Sequence, residues 1–357
     1  MNPKCPICVK EGKSFFKSQL PCSVRSDWTP VELYLCGNCD HLFKKDSLVK
    51  KGSDYESYVI WNNSSVGDKA VYQSGNPTVG RSKTVHEFLQ SYVDNLEDLN
   101  ILDFGCNRGA FLALFENHKG TLTGLDISEN YRANVEGLGC QYFTDYEKLN
   151  GNYNVISLIH VLEHFVDFRK ELVGAVSNMN KGGNLLIQVP NIISQPTDAY
   201  IIDHKHHFSK HSLIKMFSEI FNYSTEYIDE LVPGELTSIH STRQNKKDSN
   251  REDFSILQNS LKKSESIIIS LLENCEQNIA IYGAGMTGTF YGNILGERVS
   301  YFIDDDPSTH GSKILGKSVY SFQCRPTQVT ILNAVPGPNS RTVYNKRKAD
   351  CEMINLF

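Results

Sequence analysis

Apolar residues recur along the middle of the chain with two different periods, and the switches between them mark the elements. From Lys83 to about Leu96 they fall at helical spacing (Val85, Phe88, Leu89, Tyr92, Val93), which predicts a helix. Short apolar runs follow at 100–104, 121–126, 154–159 and 184–189, separated by amphipathic stretches near 109–117, 129–137 and 167–179. Strands alternating with helices in this way predict a mostly parallel sheet covered by helices on both faces. Ser209 is placed to cap a further helix over 210–220. A polar stretch, 243–253, then separates this region from a helix over about 255–274 and a second alternating unit, with strands near 279–282, 299–303 and 328–334. Ahead of the first helix, residues 44–75 read as a polar connector in which Tyr55, Tyr58 and Trp61 stand out. The chain therefore divides into 1–75, 76–245 and 246–357.

A length of 357 residues supports this division, since it exceeds one ordinary domain. Apolar content of 40% and charged content of 22% are those of a globular protein. No run of about 18 apolar residues is present and the first residues do not resemble a signal peptide, so a cytoplasmic protein without a membrane partner is expected. The net charge of −5 and the scattered lysines argue against nucleic acid as a partner. Ten cysteines in such a chain are expected to be reduced or metal-bound.

Four of those cysteines form two knuckles, Cys5-Pro-Ile-Cys8 and Cys36-Gly-Asn-Cys39. Each turn brings two thiolates to one ion, so the pair predicts a closed, structural zinc site of four sulfurs. Cys22 is read as a spare thiol.

The stretch Ile101-Leu-Asp-Phe-Gly-Cys-Asn-Arg-Gly-Ala-Phe111 is a strand running into a glycine-rich turn and a helix start. Asp103, Gly105, Cys106 and Gly109 are its candidate cofactor contacts, because a turn with few side chains lets a nucleotide-like cofactor lie on backbone amides. The next strand ends in Asp126, placed for the ribose hydroxyls. Asn107 stands where dinucleotide enzymes carry a second glycine. A complete Gly-x-Gly-x-x-Gly occurs later, at Gly283, Gly285 and Gly288, followed by Asp304 at the end of the next strand. His160 and His164 lie four residues apart, but their surroundings in sequence supply no third metal ligand. His204, His206 and His207 cluster behind Asp203, and a histidine beside a carboxylate is suited to general-base work.

The glycine loop, Asp126, the run Asn154-Val-Ile-Ser-Leu-Ile-His-Val-Leu-Glu-His164 and Gly182-Gly-Asn-Leu-Leu-Ile-Gln-Val-Pro190 together resemble class I S-adenosylmethionine (SAM) methyltransferases over 100–191. That resemblance implies a Rossmann-like α/β core with SAM as cofactor, Asp145 near the adenine, and the His160 segment shaping the pocket. The cysteine knuckles followed by Asp40-His-Leu-Phe43 resemble the zinc module of sugar C-methyltransferases from deoxysugar pathways. Asp203-His204…Phe208-Ser209 resembles their acid–histidine segment, although Ile201 stands where the family has tyrosine and Tyr200 is one residue off. The resemblance implies His204, Asp203 and Tyr200 as catalytic residues. It also implies a C-terminal Rossmann-like half that holds the acceptor without NAD. The expected reaction is C- or O-methylation of a small polar acceptor, a nucleotide-linked or phosphorylated sugar, with N-methylation left open. An RNA methyltransferase, an NAD(P)-dependent oxidoreductase using 283–288, and a binding protein with an inactive core remain as alternatives. The oligomeric state is not readable.

Overall fold

The computed structural model describes residues 2–21, 30–45, 70–71, 79–201, 203–241, 252–274, 278–335 and 338–356. Cys22, Tyr55, Tyr58 and Trp61 lie outside them. Strands β1 (Gly12–Pro21), β2 (Pro30–Cys36) and β3 (Leu42–Lys44) form an antiparallel sheet at the start of the chain, and β4 (Ala70–Val71) pairs with β5 (Val79–Gly80) in a small ribbon. Helix α1 (Arg81–Tyr92) carries Val85 and Leu89, both fully buried, on the face foreseen from its spacing.

The central region then alternates β6 (Ile101–Phe104), β7 (Leu122–Leu125), α2 (Arg132–Glu136), β8 (Gln141–Phe143), β9 (Tyr153–Ile159), α3 (Phe168–Val176) and β10 (Met179–Pro190). After these come β11 (His206–His207), α4 (Lys210–Phe221), β12 (Ser224–Val232) and β13 (Glu235–Ser241). Its sheet runs β12-β13-β10-β9-β6-β7-β8; β13 is antiparallel to both its neighbours and every other pairing is parallel. The hairpin β12–β13 closes the edge of the sheet and has no counterpart among the sequence expectations.

One expected element is corrected. Where a helix was foreseen near 109–117, the described chain makes turns and a short 3-10 segment, Leu112–Leu114. Gly109 sits at φ +82°, a left-handed conformation through which a right-handed helix cannot pass. Asn117, at φ +57°, turns the chain again before a helix can lengthen.

The last unit comprises α5 (Phe254–Asn274), β14 (Ile279–Tyr282), α6 (Met286–Leu295), β15 (Val299–Ile303), β16 (Lys313–Ile314), β17 (Lys317–Tyr320), β18 (Thr330–Asn333), α7 (Pro338–Arg347) and β19 (Met353–Asn355). Its sheet has the order β16-β17-β15-β14-β18-β19 and is parallel except for β16.

Two features join the three parts. Strand β11 leaves the central region and pairs with β3, as the fourth strand of the first sheet. In addition, Phe16, Leu33 and Leu42 of the first sheet share one buried cluster with Tyr200 and with Leu257, Leu261 and Phe290 of the last unit. Among the described residues no helix is long and apolar enough to cross a membrane.

Candidate active site

The glycine loop follows β6 and is bent by Gly105 at φ +80°, Asn107 at φ +48° and Gly109 at φ +82°. Asparagine tolerates this region better than most residues, which explains its fitness at 107. A side chain at Gly105 would also collide with Val161. The loop amides are already engaged: Gly105 and Cys106 N–H donate to Leu125 O at 2.6 and 3.0 Å, and Gly109 N–H donates to Cys106 O at 2.9 Å. Asp126 holds the rest. Its Oδ2 accepts from Asn107 N–H at 3.0 Å and its Oδ1 from Ser128 N–H at 3.1 Å. The expectation that free amides at a helix start would cradle the cofactor is therefore corrected, since these amides are internally paired and no α-helix begins there. What the loop presents is the Asp126 carboxylate and a shaped backbone.

Asp103 is 3% exposed and accepts a hydrogen bond from Ser157 Oγ at 2.8 Å. Burial, reinforced by the nearby Asp126 charge, pushes its carboxyl up to about 7 despite that bond. Burial raises Asp126 as well, although three backbone amides oppose it. Cys106 turns its thiol into a buried cluster with Leu112 and Val135, so only its backbone belongs to the loop surface. Asp145 caps a 3-10 turn by accepting from Glu147 N–H at 2.9 Å. Ile127, beside Asp126, is 60% exposed and was missed by the sequence reading. An apolar residue directly after a strand-ending acid is the signal that could have found it. These groups fit SAM: acids suit its cationic ammonium and sulfonium, Asp126 its ribose, and Ile127 offers an apolar face for a base.

His160 lies at the end of β9 with φ +55°. Its Nδ1 is 3.1 Å from Glu163 Oε1 and its Nε2 is 3.0 Å from Glu235 Oε2, while Arg81 Nε donates to Glu235 Oε2 at 2.7 Å. Burial and Arg81 disfavour the imidazolium, yet the two carboxylates outweigh them and raise the ring's pKa. Both ring nitrogens thus face carboxylates, which places His160 in a buried polar chain rather than simply on the cofactor.

The structure re-pairs the acid and histidine expected to act together. His204 Nδ1 donates to Asp198 Oδ1 at 2.5 Å, and His207 Nδ1 to Asp198 Oδ2 at 2.6 Å. Asp203 instead lies 3.2 Å from His164 Nδ1, and the His164 and His204 rings meet edge to face at 4.7 Å. Adjacent residues in a non-helical segment point different ways, so Asp203 and His204 serve different partners. Burial favours neutral Asp198, but His204 and His207 hold it well below the usual carboxylate range. Likewise, burial disfavours protonated His164, and Asp203 with Glu163 overcomes this and pushes it up to about 9. His206 is a joint with the first sheet: its Nδ1 is 3.1 Å from His41 Nε2 and its Nε2 2.9 Å from Phe165 O. Burial pushes His206 down to about 3 and His207 down to about 4. Tyr200 is 1% exposed; its ring stacks on Phe290 at 5.0 Å and meets Phe16 edge-on at 6.4 Å. It is a packing residue between the first sheet and α6, which corrects its catalytic assignment.

The two cysteine knuckles meet. Cys5 and Cys39 sulfurs are 3.6 Å apart and Cys8 and Cys36 sulfurs 3.3 Å, and all four lie within 4.8 Å of one another. A tetrahedral zinc site with Zn–S of about 2.3 Å has edges of about 3.8 Å, so the set fits one ion with little adjustment. A hydrogen bond from Cys39 pulls the Cys5 thiol down to about 6, and burial pushes Cys36 up to about 11.

The C-terminal glycine turn repeats the device of the first. Gly283 has φ +105°, and Asp304 accepts from Ala284 N–H at 2.7 Å and Asp306 N–H at 2.8 Å. A side chain at Gly288 would collide with the Gly283 carbonyl, so the third glycine allows α6 to pack against the strand. A polar cavity of about 240 Å³ opens beside Asp304, lined also by His310, Gln323, Lys346 and Arg347.

A mostly parallel sheet, a glycine loop followed by a strand-ending acid, and a histidine–carboxylate cluster at the end of β9 make up the candidate site. Residues 80–224 match the family model described as a methyltransferase domain. A search of the curated proteins returns no match. Among solved structures, the chain is similar to a SAM-dependent methyltransferase from Mesorhizobium loti (17% identity, 43% of this chain and 95% of that one, TM-score 0.36). It is also similar to the plantazolicin methyltransferase BpumL in complex with SAH (15% identity, 45% and 84%, TM-score 0.37). A third similar structure is coclaurine N-methyltransferase bound to N-methylheliamine and SAH (14% identity, 46% and 55%, TM-score 0.38).

Proposed function

We propose that the protein transfers the methyl group of SAM to carbon or oxygen of a small polar acceptor, a nucleotide-linked or phosphorylated sugar held between the core and the C-terminal unit. The observation that carries the acceptor class is the second glycine turn, where the Asp304 clamp suits a ribose and Lys346 beside it suits phosphate, next to Arg347 in its ion pair with Asp305 at 3.3 Å. SAM, when bound, supplies an electrophilic methyl on a sulfonium. Asp126 holds its ribose, with Asp103, Gly105, Cys106, Gly109 and Asp145 around it. His204, oriented by Asp198, takes the acceptor's proton, and Asp203 positions His164 beside it. One zinc ion at Cys5, Cys8, Cys36 and Cys39 fastens the first sheet.

Incubation with SAM and a panel of nucleotide-linked sugars, followed by detection of S-adenosylhomocysteine, tests the reaction. Asp304→Ala and Lys346→Ala should raise the acceptor KM and leave SAM affinity intact; an unchanged KM in both would remove the C-terminal unit from acceptor binding. His204→Ala should lower turnover by roughly 10²–10⁴ with SAM affinity preserved, the usual worth of a positioned base. The same Asp304 clamp also supports a second reading, an NAD(P) site, which a shift in nicotinamide fluorescence on titration would reveal.

A further inference from the structure

We propose that Glu163, His164 and His204 form a second metal site, which takes a divalent transition ion such as Mn²⁺, Fe²⁺ or Zn²⁺ through two imidazoles and one carboxylate. Each residue offers one ligand atom, and these atoms lie within 4.8 Å of one another. Donors about a single ion at about 2.0–2.2 Å lie roughly 3–4.4 Å apart, so the three side chains need only a small inward adjustment to share one. In sequence, His160 and His164 lacked a third ligand. The fold instead sets Glu163 beside His164 and brings His204 to them from 40 residues further on, while His160 faces Glu163 and Glu235.

Glu163 is fully buried; His160 Nδ1 stands 3.1 Å from its Oε1, while its Oε2 meets no hydrogen-bond donor among the described residues. A buried carboxylate left in this way is costly unless a cation or donor meets it. The two histidines are arranged for such a cation. His204 gives its Nδ1 to Asp198 and His164 turns its Nδ1 to Asp203, and a histidine held by a carboxylate at one nitrogen presents the other to a metal. The backbone fixes the set. His160 adopts a left-handed φ of +55°, a conformation rare outside glycine, as the chain turns from β9 into residues 162–164. Lys205 N–H then donates to the Glu163 carbonyl at 2.7 Å and ties the two ligand-bearing segments together.

Two nitrogens and one carboxylate leave further coordination positions open, and this mixed donor set suits first-row transition ions better than Mg²⁺ or Ca²⁺. His164 keeps about a fifth of its side chain exposed, so the site opens on one side. An acceptor hydroxyl bound there would release its proton to water more readily, and the proton-taking role of His204 would pass to the ion. This role of the ion, though not its binding, rests on the methyltransferase reading of the cleft.

Mn²⁺ is the probe, because the four-cysteine site prefers softer ions. Electron paramagnetic resonance on the full-length protein should show one bound Mn²⁺ per chain. Glu163→Gln and His204→Gln should abolish it, and Asp198→Asn, which leaves the ligands in place, should weaken it by about 10–100-fold. Thermal melts of each variant establish that it is folded, and Asp198→Asn decides the matter if the ligand variants are not. A folded wild-type protein that binds SAM by calorimetry but no Mn²⁺, Fe²⁺ or Zn²⁺ beyond the cysteine site would overturn the proposal and leave the methyltransferase reading standing. Undiminished Mn²⁺ binding in Glu163→Gln and Asp198→Asn would overturn it as well. Mn²⁺ binding without SAM binding would support the site and sink that reading.

Discussion

Two acids at the ends of neighbouring strands show how single residues shape the candidate cofactor cleft. Asp126 is held by the amides of Asn107 and Ser128, so its carboxylate is in position before any ligand arrives. Asp126→Ala removes charge-assisted hydrogen bonds of about 1.5–3 kcal/mol and should weaken SAM binding roughly tenfold to a hundredfold by calorimetry. Asp103 adds a pH dependence. Its folded-state pKa of about 7 lies above the ordinary carboxyl range, so the neutral acid favours folding and that stability is lost as pH rises through about 7. A cationic ligand favours the ionised form, so SAM should bind more weakly as pH falls below about 7, with a proton released on binding there. Calorimetry in buffers of different ionisation enthalpy would read that proton. Asp103→Asn should bind SAM without pH dependence in this window, and a retained dependence would assign the proton elsewhere. Both acids were legible in the sequence, because a strand-ending acid after a glycine turn is a local pattern. The Asp198–His204 pair was not, because Asp198 lies in a short 3-10 segment, Pro196–Tyr200, with too few residues for a periodicity to mark it.

At the scale of elements, the cysteine knuckles and the His204 loop are one assembly. Strand β3 begins three residues after Cys39 and pairs with β11, whose first residue lies two positions beyond His204. Lys44 N–H donates to Lys205 O at 2.9 Å, so the link reaches the residue next to His204. Stripping the proposed zinc with a chelator should therefore lower turnover more than SAM affinity, as well as lower the melting temperature, since Asp126 and the glycine loop stand on other strands. Parallel measurement of SAM Kd and turnover on the chelated protein checks this, and equal losses in both would mean general unfolding. The strands of the central sheet were readable as apolar runs, whereas the helix foreseen near 109–117 failed because Gly109 adopts a left-handed conformation that composition does not disclose.

Across the whole molecule, the buried cluster that contains Tyr200 fastens the first sheet to the C-terminal unit. Tyr200→Ala should destabilise the protein by about 3–5 kcal/mol through the cavity it leaves. Tyr200→Phe, which keeps the ring between Phe16 and Phe290, should leave turnover within about twofold, far from the roughly 10²–10⁴ expected for a catalytic proton donor or acceptor. A large loss in Tyr200→Phe with the melting temperature unchanged would restore the hydroxyl to the chemistry.

What the sequence determined by itself is local: the parallel strands of the central sheet and most of its helices, the glycines that bend two turns, the acids that close the next strands, and the paired cysteines. Each is written in residues a few positions apart, where backbone geometry acts directly. The tertiary structure alone decided which groups share the cleft, because sheet order and the β3–β11 pairing bring Asp198 and His204 against His164, Glu163 and Asp203. It also decided that Tyr200 faces away into packing. Side-chain partners separated by a strand crossover depend on register and burial, and a linear pattern carries neither.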